Sequence, residues 1–366
     1  MSLEFGVTPC GLDCPYCYQH GTSMWPASFR ERREPLSVEE VLDAVDQALD
    51  LGLGGVGIIG PYEPIREKGI LTLIRGIHAR KLRITLFTKG TYISNALAEE
   101  LCQYDVAMGI TVNSLHCAVH DELTGREGSH KLMMEGLNLL LRNGYDRKRH
   151  KIIVQSVIVR QNMRDLPEVW RWAKRSSFVP FFERITIYGR ARENISRLNP
   201  SPEMLFTLFS QISEIDQREF GNRWIPHPPW VGEACDRHLN SCHLTVDGYI
   251  QPCTGVDIPV GNIRDTDLAT ILRGSTVIQA LRNIQDTIGG SCRECHLHDA
   301  CYGCRGQAYQ LTGDYLASDP CCWNNSERCN QLCDLIDECS LEDEGMKNVL
   351  MSRVASDRGL MGSQTE

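Results

Sequence analysis

Between residues 36 and 216 the chain alternates stretches of helical periodicity with short runs of β-branched residues. Strands that alternate with helices form βαβ units, and such units assemble into a parallel sheet. The pattern predicts an α/β fold with six strands, too few for a closed eight-stranded barrel. The predicted strands cover residues 3–7, 56–59, 84–88, 107–112, 152–159 and 185–188, and predicted helices cover 67–80, 94–103, 129–143 and 165–175.

Three helix ends carry specific signals. Ser37-Val-Glu-Glu40 is a capping box, in which a serine and a glutamate three residues later satisfy free amides at a helix start. Gly144 is suited to the position just after a helix. Ser201-Pro202 predicts a last helix with a serine cap and proline in its first turn.

Three cysteines, Cys10, Cys14 and Cys17, follow the first predicted strand with the spacing C-x₃-C-x₂-C. Three thiolates on one loop can bind three irons of a 4Fe–4S cube, which normally takes four cysteines. The fourth iron is then open to a small molecule. A zinc site is the alternative, but zinc usually pairs C-x₂-C with a second such pair, and none is near in the sequence.

This loop, with Tyr16 before the third cysteine, resembles that of radical S-adenosylmethionine (radical SAM) enzymes. The resemblance implies a partial (β/α)₆ barrel with its site at the carboxyl ends of the strands. It also implies that SAM chelates the open iron and is cleaved to methionine and a 5′-deoxyadenosyl radical. That radical abstracts hydrogen from the substrate, while the protein positions the reactants and excludes solvent.

Residues after the predicted strands match further parts of the family pattern. Gly60-Pro-Tyr-Glu63-Pro64 stands where the family usually has Gly-Gly-Glu-Pro, so Glu63 is expected to receive the SAM ammonium, although Pro61-Tyr62 departs from the pattern. Thr88-Lys-Gly90 resembles the family's Thr-Asn-Gly turn. The resemblance implies that the SAM-binding residues are Tyr16, Glu63, Thr88, Asn113, Ser114, Arg126, Asn162 and Gly189.

Cysteines are dense beyond residue 230, and their spacing resembles the SPASM domain of radical SAM enzymes, which carries two auxiliary 4Fe–4S clusters. The C-x₂-C-x₅-C-x₂-C run is one residue shorter than the family's spacing before Cys304. The resemblance implies one cluster on Cys235, Cys242, Cys253 and Cys304, and another on Cys292, Cys295, Cys301 and either Cys321 or Cys322, with Cys322 preferred.

Alternatives remain open for this region. A zinc ribbon is an alternative use of the same run of cysteines. Cys102 is expected in the core, and Cys329, Cys333 and Cys339 are either spare thiols or replacements for an assumed ligand. The predicted domains are a barrel over residues 1–230, a SPASM domain over 231–340 and a disordered acidic and polar tail over 341–366.

Composition excludes several other classes of protein. The 366 residues are 42% hydrophobic and 23% charged, with a net charge of −9, which does not suit nucleic-acid binding. No apolar run approaches a membrane span, and no signal peptide is evident. Seventeen cysteines without a signal peptide favour metal binding in a reducing cytoplasm. The resemblance implies a flavodoxin or ferredoxin as reductant.

The substrate is predicted from weaker features. Only nine residues precede Cys10, and Thr254 replaces the aspartate that follows the G-x₄-C cysteine in sulfatase-maturing relatives; both facts favour a small molecule over a peptide. Arg190 and Arg192 after the sixth predicted strand are expected to clamp a carboxylate. Glu183, predicted at the start of that strand, is expected to move protons, as are His20 and His116.

These features lead to a specific hypothesis: decarboxylation of a sugar acid, as in the cytosylglucuronate decarboxylase type of nucleoside-antibiotic biosynthesis. Oxidation of a sugar alcohol ranks next. Peptide or protein maturation is the alternative within the family. A non-enzymatic iron–sulfur electron carrier is the alternative from another class, and cleavage of SAM under reduction distinguishes it from an enzyme.

Overall fold

The protein is described by a computed structural model that covers residues 1–18, 33–145 and 151–325. The predictions made for His20, Cys329, Cys333, Cys339 and the tail over 341–366 lie outside the described residues. The strands are β1 Ser2–Leu3, β2 Gly55–Ile58, β3 Arg83–Thr88, β4 Val106–Thr111, β5 Ile152–Ile158, β6 Val179–Arg184, β7 His243–Leu244, β8 Tyr249–Gln251 and β9 Gly261–Asn262.

These strands form one nine-stranded sheet in the order β6-β5-β4-β3-β2-β1-β7-β8-β9. Strands β1 to β6 are parallel throughout, which confirms the predicted α/β class. Strand β7 pairs in parallel with β1, and β8 and β9 then add antiparallel. The sheet therefore runs across residue 230, and the division there remains a prediction.

Helices connect the parallel strands and continue into the carboxyl-terminal region. The helices are α1 Val38–Leu49, α2 Ile70–Ala79, α3 Asn95–Gln103, α4 Cys117–Thr124, α5 Ser129–Arg142, α6 Leu166–Arg175, α7 Arg190–Glu193, α8 Ile195–Leu198, α9 Pro202–Ile215, α10 Arg237–Asn240, α11 Leu268–Gly274, α12 Thr276–Arg282, α13 Ile284–Thr287, α14 Gly290–Arg293 and α15 Arg305–Thr312. Short 3₁₀ turns lie at Pro64–Arg66 and Arg160–Asn162, and a π-helical turn follows α9 at Asp216–Phe220.

The predicted helix ends are confirmed. The Glu40 amide donates to Ser37 Oγ at 3.2 Å, and the Ser37 amide donates to Glu40 Oε2 at 2.8 Å, so the capping box is complete. Ser201 caps α9 by accepting from the Met204 amide. Gly144 follows α5 with a φ of +96°, a conformation that glycine adopts without strain.

Two strand predictions are wrong in position. Strand β1 ends at Leu3, because the chain then turns toward the cysteines. The sixth strand lies at Val179–Arg184, before the predicted run at 185–188. Ile185 and Ile187 are apolar because they pack against the cysteine-bearing loop. Glu183 therefore lies at the carboxyl end of β6, the end where parallel sheets bind ligands, and not at its start.

The sheet is buried under the helices that connect its strands. Leu73, Ile74 and Ile77 of α2 and Leu86 of β3 are fully buried in one continuous core. Each such side chain contributes roughly 1.5–3 kcal/mol of transfer free energy. Cys102 packs against this core, as predicted. Among the described residues, no helix has the length and apolar character that crossing a membrane requires.

Candidate active site

The cysteine loop, residues 10–17, is held against the end of α4, a helix that sequence patterns did not predict. The Asp13 amide donates to the Thr124 carbonyl at 2.9 Å. Gly125, at a φ of +64°, lies so close that a Cβ there would stand 2.4 Å from the Asp13 carbonyl oxygen. Only glycine permits both this backbone conformation and this approach. The helix end therefore fixes the loop that carries the three thiols.

The thiols of Cys10, Cys14 and Cys17 line one cavity of about 1100 Å³, open solvent at its mouth included. Burial raises the pKa of Cys14 to about 11, and burial likewise raises the pKa of Cys10. The remaining wall comes from the ends of β2 to β6 and from the carboxyl-terminal region, and includes Tyr16, Glu63, Phe87, Thr88, Lys89, Thr111, Gln155, Phe181, Glu183, Arg184, Arg237 and Thr254.

Glu63 is a buried carboxylate on this wall. It accepts hydrogen bonds from Thr88 Oγ1 at 2.5 Å and from the Lys89 amide at 2.9 Å. Burial raises the pKa of Glu63, and these hydrogen bonds oppose that rise. A cation that enters the cavity beside Glu63 would compensate its charge, as the expected SAM ammonium does.

Lys89 brings a buried cation to the same wall. Its Nζ donates to Thr111 Oγ1 at 3.4 Å. Burial lowers the pKa of this amine, but the negative charges of Cys14, Cys10, Cys17 and Glu63 together raise it by more, so the pKa lies above the ordinary lysine value. Lys89 stands where the turn of the resembled family usually has asparagine.

A row of hydrogen bonds crosses the ends of β4, β5 and β6 below the thiols. Thr111 Oγ1 donates to Gln155 Oε1 at 2.9 Å, and Gln155 Nε2 donates to Glu183 Oε1 at 2.8 Å. The second oxygen of Glu183 lies 3.7 Å from the guanidinium of Arg237. These side chains and Lys89 form one wall of the cavity. That wall carries hydrogen-bond donors and acceptors, and it has both positive and negative charges.

Tyr16 of the cysteine loop is buried and contacts Asn113, which follows β4. The side-chain amide of Asn113 donates to the Tyr16 hydroxyl at 2.7 Å, and Asn113 Oδ1 is buried without a hydrogen-bond partner among the residues that the structure describes. Asn162 donates to the Asn113 carbonyl at 3.0 Å, while Ser114 donates to Asp165 at 2.5 Å. Asn113, Ser114 and Asn162 are therefore brought together, although none of the three lines the cavity.

The expected clamp of Arg190 and Arg192 is not found in the cavity. Arg190 forms an ion pair with Asp13 on the outer side of the cysteine loop, and Arg192 is exposed. Both lie on α7, which begins after Gly189 turns the chain away with a φ of +55°. Arg126 is exposed too, with a guanidinium nitrogen 3.5 Å from the Tyr92 hydroxyl. The carboxyl end of β6 carries Glu183 and Arg184 into the cavity instead.

A second cavity of about 500 Å³ adjoins the first and shares Glu183, Arg184 and Arg237 with it. Three of the predicted ligands of the first auxiliary cluster, Cys235, Cys253 and Cys304, line this second cavity together. Cys242 does not line it and belongs to the main core.

The buried imidazole of His238 lines the second cavity in addition to the three thiols. Burial and the guanidiniums of Arg305 and Arg237 lower the pKa of His238 to about 3, so the ring is neutral. Sequence analysis missed this residue, since a lone histidine carries no spacing signal.

The second group of predicted ligands also comes together in space. The thiols of Cys292 and Cys295 both act on the pKa of Cys301, and the thiol of Cys292 acts on that of Cys322. Cys321 points elsewhere and accepts from Asn199 Nδ2 at 3.5 Å. Cys322 is therefore close enough to Cys292 for its pKa to be affected, while Cys321 contacts Asn199; the choice of Cys322 as the fourth ligand remains a prediction.

The residues present fit the implied cofactors. Three cysteines, Cys10, Cys14 and Cys17, line one cavity together with Glu63. Across residues 1–18, 33–145 and 151–325, no three His, Cys, Asp or Glu side chains are grouped so as to hold a metal ion. Cys10, Cys14 and Cys17 nevertheless line one cavity, and cysteine thiolates are the usual ligands of a 4Fe–4S cube. Cys10, Cys14 and Cys17 would hold the cube, and Glu63 the SAM ammonium.

Comparisons with known proteins agree with this geometry. Residues 8–173 match the radical SAM superfamily, and residues 235–296 match the SPASM iron–sulfur cluster-binding domain. The chain is 26% identical over 332 residues to the PqqA peptide cyclase of Granulibacter bethesdensis, covering 86% of this chain and 84% of that protein. It is 20% identical over 337 residues to the AdoMet-dependent heme synthase of Methanosarcina barkeri, covering 86% and 93% respectively.

Solved structures share the fold. SuiB of Streptococcus suis, bound to S-adenosylmethionine, aligns with a TM-score of 0.65 at 17% identity, over 88% of this chain and 76% of SuiB. Native anSMEcpe with bound AdoMet aligns with a TM-score of 0.58 at 16% identity, over 86% and 92% respectively. The chain thus carries a radical SAM domain followed by a SPASM domain, and its cofactors are a 4Fe–4S cluster, SAM and auxiliary iron–sulfur clusters.

Proposed function

We propose that this radical SAM/SPASM enzyme modifies a peptide or protein by removing a hydrogen atom from one of its residues. The observation that carries the proposal is the polar row Thr111–Gln155–Glu183–Arg237 beside the three thiols. A peptide presents an amide donor and a carbonyl acceptor at each residue, and this row offers acceptors and donors along one wall. The similarity to PqqA peptide cyclases, and to SuiB, whose structure is also known with the precursor peptide SuiA, supports the same substrate class.

Each of the chain's own groups has a defined task in this proposal. When bound, the cube and SAM supply a carbon radical that takes a hydrogen atom from the substrate. Glu63 holds the SAM ammonium, and Gln155 and Arg237 orient the substrate. Oxidation of the substrate after the hydrogen atom is removed would release one proton and one electron. The electron would pass to an auxiliary cluster, and Glu183 accepts the proton at Oε2, the oxygen that is not bonded to Gln155. The rings of Phe87 and Phe181, 6.2 Å apart, help to exclude water.

Decarboxylation of a sugar acid loses its structural basis. That hypothesis rested on a clamp by Arg190 and Arg192, and neither residue lines the cavity. The similar proteins described above include a peptide cyclase and a heme synthase, and they give no support to the cytosylglucuronate decarboxylase type. A flavodoxin or ferredoxin as electron donor, and a cytoplasmic location, remain parts of the proposal.

Lys89 and Arg237 favour a second candidate, a carboxylate-bearing small substrate. Both cations line the cavity, where the guanidinium of Arg237 lies 3.7 Å from the carboxylate of Glu183. The similarity to AdoMet-dependent heme synthases makes a heme-pathway precursor the compound to compare with peptides.

The test is transfer of deuterium. Short synthetic peptides translated from small reading frames beside the gene, deuterated one residue at a time, are incubated with reconstituted enzyme, SAM and dithionite. We expect deuterium in 5′-deoxyadenosine from one peptide residue. Glu183→Gln should keep this transfer but form little modified peptide, because Glu183 acts after the hydrogen atom is removed. Arg192→Gln is the matched control and should transfer label normally. Transfer from a heme precursor or a sugar acid, and from no peptide, would contradict the proposal.

A further inference from the structure

The second cavity has four side chains of the types that bind iron, and one is a histidine. Cys235, Cys253, Cys304 and His238 line it, while Cys242 does not. The set joins three separate stretches of chain: the start of α10, the turn after β8 and the start of α15. Residues far apart in sequence therefore converge on this space, as ligands of one cluster must.

His238 is placed here by α10. Cys235 lies just before this short helix, and His238 lies in the helix three residues later, so one short segment brings both residues to the second cavity. The ring is only 5% exposed, and it packs edge-on against Tyr302 with the ring centroids 5.8 Å apart. Tyr302 thereby holds the imidazole in the cavity wall.

The hydrogen bonding of His238 is incomplete. Its Nδ1 is buried and has no hydrogen-bond partner in the part of the chain that the structure describes. An unpaired buried nitrogen is destabilising, so such groups in folded proteins normally have a partner or bind a ligand. Coordination of a metal would remove this cost, because imidazole nitrogen is a common ligand of iron.

Cys242 has different surroundings. It precedes β7, and its carbonyl accepts from the Ser2 amide at 3.0 Å, which ties it to the first strand of the barrel. Its nearest charged groups are the amino terminus and Arg282, and not those that surround Cys235 and Cys253. The thiol is buried in the main hydrophobic core, where free cysteine behaves as a small apolar residue.

We propose that His238, and not Cys242, is the fourth protein ligand of the auxiliary cluster held by Cys235, Cys253 and Cys304. The consequence for the cluster is electrostatic. A neutral imidazole in place of a thiolate removes one negative charge, and histidine ligation raises the potential of iron–sulfur centres for this reason. The proposal is independent of whether the substrate is a peptide.

The test uses full-length protein reconstituted with iron and sulfide, without SAM, and reduced for pulsed electron paramagnetic resonance. Nitrogen coupling from a ligating imidazole is expected in wild type and should change when histidine is labelled with ¹⁵N. It should disappear in His238→Cys, which supplies a thiolate and keeps the iron content. The auxiliary potential should then shift to a more negative value.

Iron content gives an independent readout. His238→Ala should lose up to about a third of the iron, the share of one cube among three. Cys242→Ala is the matched control and should retain all of it, together with the nitrogen coupling. The proposal is overturned if wild type shows no imidazole coupling, or if Cys242→Ala loses the cluster while His238→Ala keeps it. Stoichiometric zinc in place of this cluster would also overturn it.

Discussion

Arg184 and Asp319 form a buried ion pair that joins the last barrel strand to the loops bearing the auxiliary ligands. Their nitrogen–oxygen distances are 2.8 and 3.4 Å, and the side chains are 2% and 0% exposed. The same carboxylate accepts from the Cys304 amide at 2.8 Å and from the Cys321 amide at 3.0 Å. One pair therefore fixes the position of Cys304 relative to β6 and to the substrate cavity.

Removing Arg184 should be strongly destabilising, because it leaves Asp319 as an uncompensated charge in the interior. We expect Arg184→Met to lower the free energy of unfolding by about 3–5 kcal/mol, measured by urea unfolding under anaerobic conditions. The matched control is Arg264→Gln, which breaks an exposed ion pair with Glu40 that also joins the two parts of the chain. That change should cost about 0–1 kcal/mol. Equal effects of the two variants would contradict this account of Arg184.

Cys322 and Cys321 are neighbours with different predicted roles. Because Cys322 lies with Cys292 and Cys321 faces Asn199, Cys322→Ser should lower the iron content by up to about four per protein. Cys321→Ser should leave it unchanged. Iron and sulfide analysis after reconstitution is the measurement. The reverse result would reassign the ligand.

Glu63 is expected to bind the SAM ammonium. Glu63→Gln keeps the shape of the side chain but removes its charge, and a charge-assisted hydrogen bond is worth about 1.5–3 kcal/mol. We therefore expect SAM affinity to fall roughly ten- to hundredfold with the iron content unchanged. Glu67→Gln is the control, since Glu67 binds the Val7 and Thr8 amides outside the cavity. Normal SAM binding by Glu63→Gln would refute the assignment.

His120 should make stability depend on pH. Its Nδ1 accepts from the backbone amide of Asn113. Burial lowers the pKa of His120 from 6.5 to about 4, and the nearby His130 adds to this effect. The unfolded state then binds the proton more readily than the folded state. The contribution of His120 to the free energy of unfolding is therefore complete above pH 6.5 and is lost as the pH falls toward 4.

Urea unfolding at about pH 7.5 and about pH 5.5 tests this dependence. His120 should account for roughly 1 kcal/mol of the difference, and His120→Gln should abolish that part. The exposed His116 is the control, and His116→Gln should behave as wild type. An unchanged pH dependence in His120→Gln would show that burial does not control this group.

The sequence was sufficient where local patterns decide the structure. The capping box at Ser37 and the parallel order of strands follow from short-range periodicity or caps, and both are found in the structure. Glu63 was predicted from the resemblance of its loop to the family's Gly-Gly-Glu-Pro, and it lines the cavity with the three cysteines, while its role stays a prediction.

Long-range packing explains what was missed. Strand β6 lacks an ordinary strand pattern, because it contains Pro180 and ends in charged residues. The apolar Ile185 and Ile187 gave the strand pattern instead, although they pack on the cysteine loop. This single shift misplaced Glu183 and left Arg184 unnoticed. The position of Gln155 in the sequence did indicate a functional residue, because this polar side chain lies in the middle of a largely apolar strand. Lys89, Arg237 and His238 became recognisable only when the fold brought distant segments together.

The central claim, that the cavity of Cys10, Cys14 and Cys17 is where SAM is cleaved, is tested most directly by product analysis. Reconstituted wild-type protein with SAM and dithionite should release 5′-deoxyadenosine and methionine. A variant with all three cysteines changed to alanine should release none while it keeps about eight of about twelve irons. Cleavage of SAM by that variant, or no cleavage by fully reconstituted wild type, would contradict the account.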